Sequence, residues 1–153
     1  METITSKQTA EVLEDLIRIN NDRIEGYEKA AKDLKPEDSD LKMIFLRAID
    51  QSRKIKMILG NELQTLGETI PSGTTGSGSI YRAWMEIKAT FTGHTRHAVL
   101  ASCEYGEDAA QKAYESALGS EHLPEYLSTI VLEQKNELKV VHNEIRALRD
   151  QAA

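Results

Sequence analysis

A single cysteine stands among 153 residues, so no disulfide can form within the chain. Aromatic residues make up only 5% of the total. A core of Leu, Ile, Val and Ala with so few rings suits helices better than a β-sandwich. No stretch approaches the ~18 consecutive apolar residues of a membrane span. The opening Met1-Glu-Thr-Ile-Thr-Ser lacks a basic region followed by an apolar one. No secretory signal is therefore expected, and the cytoplasm is the expected location. Positive charge is not in excess either. The formal net charge is −6, and Lys and Arg are scattered among acidic residues, which argues against nucleic-acid binding. There is no P-loop, no dinucleotide-binding glycine pattern and no nucleophile elbow.

What the sequence does have is helical periodicity. The first stripe, over about 8–34, is Leu13, Leu16, Ile17, Ile24, Tyr27 and Ala31. The second, over about 40–66, is Leu41, Phe45, Ala48, Ile55, Leu59, Leu63 and Leu66. Thr5 or Ser6 is a candidate N-cap for the first helix. Lys35-Pro36 ends it, and Gly67 suits the residue after the second. The third long helix is expected over about 95–118 and the fourth over about 124–149, opened by Pro124. Tight connections inside each pair predict antiparallel neighbours.

Between the pairs runs Glu68-Thr-Ile-Pro-Ser-Gly-Thr-Thr-Gly-Ser-Gly-Ser79, a Gly/Ser/Thr-rich connection. Ile80, Tyr81, Trp84, Ile87 and Phe91 then follow at helical spacing, predicting a short amphipathic helix over about 80–91 that Thr92-Gly93 breaks. The expectation is one all-α domain over 1–153. It is a four-helix bundle of two antiparallel pairs, joined by a long crossover carrying a short extra helix. One such crossover is the mark of ferritin-like bundles.

Each apolar stripe is interrupted near its middle. The interruptions are Asn20, Ser52, Glu107 and Gln134. The two halves also echo one another. Gly26-Tyr-Glu-Lys-Ala30 aligns with Ala113-Tyr-Glu-Ser-Ala117, and Asn61-Glu-Leu-Gln-Thr-Leu66 with Asn143-Glu-Ile-Arg-Ala-Leu148. These registers set Asn20 against Glu107, Tyr27 against Tyr114 and Ser52 against Gln134. In an antiparallel bundle the four interruptions fall at one level, a polar waist across an apolar core.

Nearly the whole chain resembles an uncharacterised family of bacterial ferritin-like proteins of about this length. The likeness is carried by Ile24-Glu-Gly-Tyr-Glu-Lys-Ala, Tyr81-Arg-Ala-Trp, Glu104-Tyr-Gly-Glu-Asp-Ala and Val141-His-Asn-Glu-Ile-Arg-Ala-Leu. The resemblance implies the fold and a stress-related setting, and no reaction. Ferritin-like bundles hold two metal ions at the waist, using a Glu from each of two helices and Glu-x-x-His from the other two. This chain departs from that pattern. Asn20 stands at one Glu position, no Glu-x-x-His occurs near the second waist, and only Glu107 keeps a carboxylate. The waist is thus expected to be a degenerate di-metal site.

Two readings follow. In the first, the protein is a non-enzymatic structural or interaction protein without a resident cofactor. The waist is then a hydrogen-bonded layer. Glu107 is expected to pair with Gln134, with the Tyr27 or Tyr114 hydroxyl or with Arg53, or to be kept protonated by burial. Replacing it by Leu is expected to leave stability unchanged or raised. In the second, iron or another divalent cation is bound for oxidation or storage, through Glu104, Glu107 and Glu137. His94 and His97, spaced i, i+3, are an adventitious metal pair. Cys103 reads as a small core residue. The Tyr81/Trp84/Phe91 face needs a cover, either the bundle itself or a second copy. A homodimer through that face or another helix face is the expectation.

Overall fold

The structure is a computed structural model that describes residues 6–91 and 95–152, with side chains except at 88–91. Among the described residues it is all helix, without a strand. The elements are α1 (Ser6–Lys32), a 3₁₀ turn (Pro36–Asp38), α2 (Asp40–Thr65), α3 (Gly78–Phe91), α4 (Arg96–Leu118) and α5 (Glu125–Gln151). Ser6 is already helical, and Thr5 lies outside the described residues, as does the Thr92-Gly93 break.

The ends follow local chemistry. Pro36 keeps Lys35 extended, which stops α1 short of Leu34. Gly67 closes α2 at φ +81°, a left-handed conformation that glycine adopts without penalty. Its N–H donates to the Gln64 carbonyl, and the Glu68 N–H reaches back to Leu63 at 3.2 Å. Together these bonds form a Schellman cap. Thr95 caps α4 by accepting the Ala98 N–H at 3.1 Å.

Backbone packing joins α1 to α2, α4 to α5 and α1 to α4, while α3 lies against both α1 and α4. The register of the side-chain contacts makes the neighbours antiparallel. Asn20 and Arg23 of α1 meet Tyr114 and Glu107 of α4, and Asp108 and Glu104 of α4 meet His142 and Arg149 of α5. Between α2 and α5 the bridging falls to long side chains. Arg47 pairs with Glu144, and the Gln51 amide donates to the Glu137 carbonyl. The buried apolar side chains form one cluster, in which Leu13, Ile17, Phe45, Leu59, Leu100, Leu127 and Ile145 are fully enclosed.

The crossover is tied to the helices it passes. Ile70 seats on Gly60 of α2. Asn21 donates to the Gly73 carbonyl at 2.8 Å. The buried Asp22 carboxylate accepts the Thr75 N–H at 3.1 Å and its hydroxyl at 2.6 Å. From there α3 lowers Trp84 into the groove between α1 and α4. A methyl at Gly26 would lie 3.0 Å from the indole, and one at Gly106 2.9 Å from it. The two glycines are the socket for the ring. Trp84 and Ile87 are both fully buried. The bundle's own α1 and α4 therefore cover this part of the α3 face, which leaves neither side chain to a second copy. Tyr81 is half-buried, and the Phe91 side chain lies outside those described.

Gly106→Ala is expected to destabilise the fold by about 1–3 kcal/mol through overpacking, despite alanine's higher helix propensity. Trp84→Phe should recover part of that loss when combined with it. Urea unfolding followed by circular dichroism measures both. An additive double variant would show that the ring and the glycine do not meet.

Candidate functional site

At the level of the four interruptions, a continuous polar layer crosses the apolar core. Asn20, Ser52, Glu107 and Gln134 are all buried, and so is Arg23, a cation without solvent exposure. Arg23 lies three residues after Asn20 and four before Tyr27, which puts all three on the inner face of α1. Its Nη2 donates to Glu107 Oε2 at 2.9 Å, and its Nε lies 3.2 and 3.1 Å from the two carboxylate oxygens. Nη1 donates to the Ala48 carbonyl at 3.0 Å and to Ser52 Oγ at 2.9 Å. Tyr27 donates its hydroxyl to Glu107 Oε2 at 2.5 Å.

From Ser52 the chain of donors runs on across the bundle. Ser52 donates to Asn20 Oδ1 at 2.9 Å. Asn20 Nδ2 donates to the Leu16 carbonyl and, at 3.0 Å, to the Tyr114 hydroxyl. Tyr114 donates to Gln134 Oε1 at 3.3 Å. All four long helices thus contribute to one network. The internal echo has a geometric counterpart: Tyr27 reaches Glu107 and Tyr114 reaches Asn20, each tyrosine meeting the interruption of the other half. Arg23 breaks the symmetry, because the matching position in α4 is Ala110.

Electrostatics follow from burial. Burial alone would push the Arg23 guanidinium down, but the Glu107 charge and hydrogen bonds outweigh it and the net shift is upward. The Tyr27 hydroxyl is pushed well up, first by burial and then by the Glu107 charge. Burial likewise raises Tyr114 and Cys103, the latter with help from Glu107. A thiol so protected is a poor nucleophile.

Of the partners expected for Glu107, the Tyr27 hydroxyl is found. The ion pair with Arg23 was not expected, and it stands where Gln134, Tyr114, Arg53 or a captured proton were the other candidates. Arg53 is exposed and pairs with Glu28 at 3.3 Å. The expected tolerance of Glu107→Leu falls with it, since Leu would leave a buried guanidinium unpaired. The other candidates do not converge on the layer. Glu104 pairs with Arg149, and Glu137 is exposed. His97 is exposed, and His94 lies outside the described residues. His142 is bonded through Nε2 to Asp108 at 2.6 Å. Among the described residues, no group of three or more His, Cys, Asp or Glu stands where it could hold a metal ion. No described helix is long and apolar enough to cross a membrane.

The fold and this layer define an all-helical protein whose core is crossed by an internal ion pair. The chain belongs to the family described as a domain of unknown function (DUF2383), whose model matches residues 8–120. That segment carries Asn20, Arg23, Tyr27, Ser52, Glu107 and Tyr114, and it ends before Gln134. No curated protein matches the chain.

Breaking the pair is expected to be costly and removing it much less so. Glu107→Leu should lower the unfolding free energy by about 3–5 kcal/mol. The Arg23→Met, Glu107→Leu double variant should regain more than half of that in urea denaturation. A single variant as stable as the parent would contradict the pairing.

The tyrosines supply a pH test. A folded-state pKa raised above the unfolded value of about 10 means that stability is full below that pH and is lost as pH climbs through and beyond it. Tyr27 and Tyr114 should therefore ionise only as the helices unfold. Absorbance at the phenolate band should step together with circular dichroism. Ionisation of all the tyrosines with the helices intact would refute this.

Proposed function

We propose that the chain is a ferritin-like four-helix bundle, a single domain that serves as a non-enzymatic structural or interaction protein. Its waist is a degenerate di-metal layer held by an internal ion pair. One observation carries the reading: the Arg23 guanidinium contacts both oxygens of Glu107 in the middle of the core. A protein cation then stands in the layer where ferritin-like relatives hold two dications. The antiparallel neighbours and the long crossover with its short helix support the architecture.

The donor set does not suit a metal pair. Several carboxylates are needed to offset two dications, with imidazole nitrogens to shape the geometry. Here Asn20, Ser52 and Gln134 are neutral. Glu107 has its oxygens taken by Arg23 and Tyr27, Glu104 is engaged by Arg149, and Glu137 points outside. A dication at the waist would also stand beside the buried guanidinium and be repelled by it. The bacterial, cytoplasmic and stress-related setting rests on the resemblance alone.

Metal analysis of chelator-free protein, produced with iron supplementation, tests the reading. It should find no stoichiometric metal, and the protein should oxidise added ferrous iron no faster than buffer does. A pair of irons per chain, or oxidation that depends on Glu107, would overturn the proposal in favour of iron oxidation or storage.

A further inference from the structure

Covering Trp84 within the chain removes it from any interface and directs attention to the opposite side of the molecule. There α2 and α5 are bridged by long side chains rather than by close backbone packing. A cleft of about 470 Å³, lined in part by Met43, Asp50, Lys54 and Glu137, opens along the α2 side. Large apolar side chains stand in water on this face. Met43 and Met57 of α2 are 65% exposed, and Val140 of α5 is 68% exposed. On the opposite side, α3 fills the groove between α1 and α4, and nothing comparable covers α2 and α5 among the described residues.

The outward stripes of these two helices share one pattern. In α2, Met43, Asp50, Lys54 and Met57 follow at intervals of seven, four and three residues. In α5, Tyr126, Glu133, Glu137 and Val140 follow at the same intervals. Each stripe thus has apolar ends and a charged middle, and the one cation among the four charges, Lys54, lies on α2 beside the acid Asp50. The α5 middle is purely acidic, while Lys54 gives α2 a cation held in an exposed pair with Asp50 at 3.1 Å. Such exposed pairs are worth little and exchange readily.

We propose that the α2–α5 face is a dimer interface, occupied by a second copy of this chain about a two-fold axis parallel to the bundle. That operation lays α2 of one copy antiparallel over α5 of the other. The intramolecular register, with Gln51 beside Glu137 and Arg47 beside Glu144, sets the register between copies as well. Lys54 then falls between Glu133 and Glu137 of the second copy. Lys54 of each copy thus meets the acidic stripe of the other, twice per dimer, with the methionines and Val140 enclosed around them. This inference does not depend on what occupies the waist.

Sedimentation velocity over a concentration series tests it. The full chain should sediment as a dimer at the higher concentrations. Met57→Glu with Val140→Glu should make it monomeric while leaving the helical signal and the unfolding midpoint near those of the parent. Lys54→Glu should raise the dimer dissociation constant roughly tenfold or more. Adding Glu137→Lys should restore much of the affinity, which a merely destabilised protein would not do. A parent that is monomeric at every concentration would leave the face to some other partner and overturn the proposal. A dimer that survives the Met57/Val140 double variant would place the interface elsewhere and overturn it equally.

Discussion

A guanidinium and a carboxylate meet in the middle of an apolar core, and much of the bundle is arranged to make that tolerable. Each ion alone would cost several kcal/mol to take from water, and their attraction offsets this only if the remaining donors and acceptors are also met. Arg23 has Ala48 O and Ser52 for its Nη1 hydrogens, and Glu107 also accepts from Tyr27. The requirement fixes the relative heights of α1, α2 and α4, since a shift of one turn along any of them would strand a charge. Register is thereby set by a polar constraint that Leu and Ile contacts, which slide more easily, would leave loose. The bonds running on through Asn20 and Tyr114 carry the same constraint to Gln134 on α5.

Three of the few aromatic residues line up beside this pair. Trp84, Tyr27 and Phe45 run in file from α3 through α1 to α2, with ring centroids 5.1 and 5.2 Å apart. The Tyr27 ring also lies 5.4 Å from the Arg23 guanidinium carbon. These large, stiff rings exclude water from one side of the ion pair, which strengthens it. Gly26 and Gly106 let the indole come close enough to do so. The crossover helix is thus part of what keeps the waist dry, in addition to linking the two halves.

Periodicity made the helices legible, with ends within about two residues of those expected and with Pro36 and Gly67 closing α1 and α2 as their residue types foretell. The interrupted stripes pointed to Asn20, Ser52, Glu107 and Gln134, which the structure draws into one network. Arg23 was missed because arginines are far more often exposed than buried, and because the internal echo pairs it with Ala110. The available signal was its spacing of three and four from Asn20 and Tyr27. Whether the bundle or a second copy covers Trp84 stayed open, because an apolar stripe reads the same whether its cover lies in the same chain or in another. Gly26 and Gly106, small residues on two facing helices, were the sign that the cover was internal. Asp108 and Arg149 went unnamed for a further reason. Pairing His142 with one and Glu104 with the other needs the relative rotation of α4 and α5, which one-dimensional patterns do not contain.

Placing a fixed cation at the waist underlies the proposed function, in which the guanidinium of the chain itself takes the place of a metal. The most direct test is the Arg23 Nε–H proton in the nuclear magnetic resonance spectrum of uniformly nitrogen-labelled protein. An ion pair sealed in the core predicts a distinct signal that exchanges with water only as slowly as the core amides, and that disappears in Glu107→Leu. An Arg23 Nε–H that exchanges like those of the exposed arginines would contradict the account.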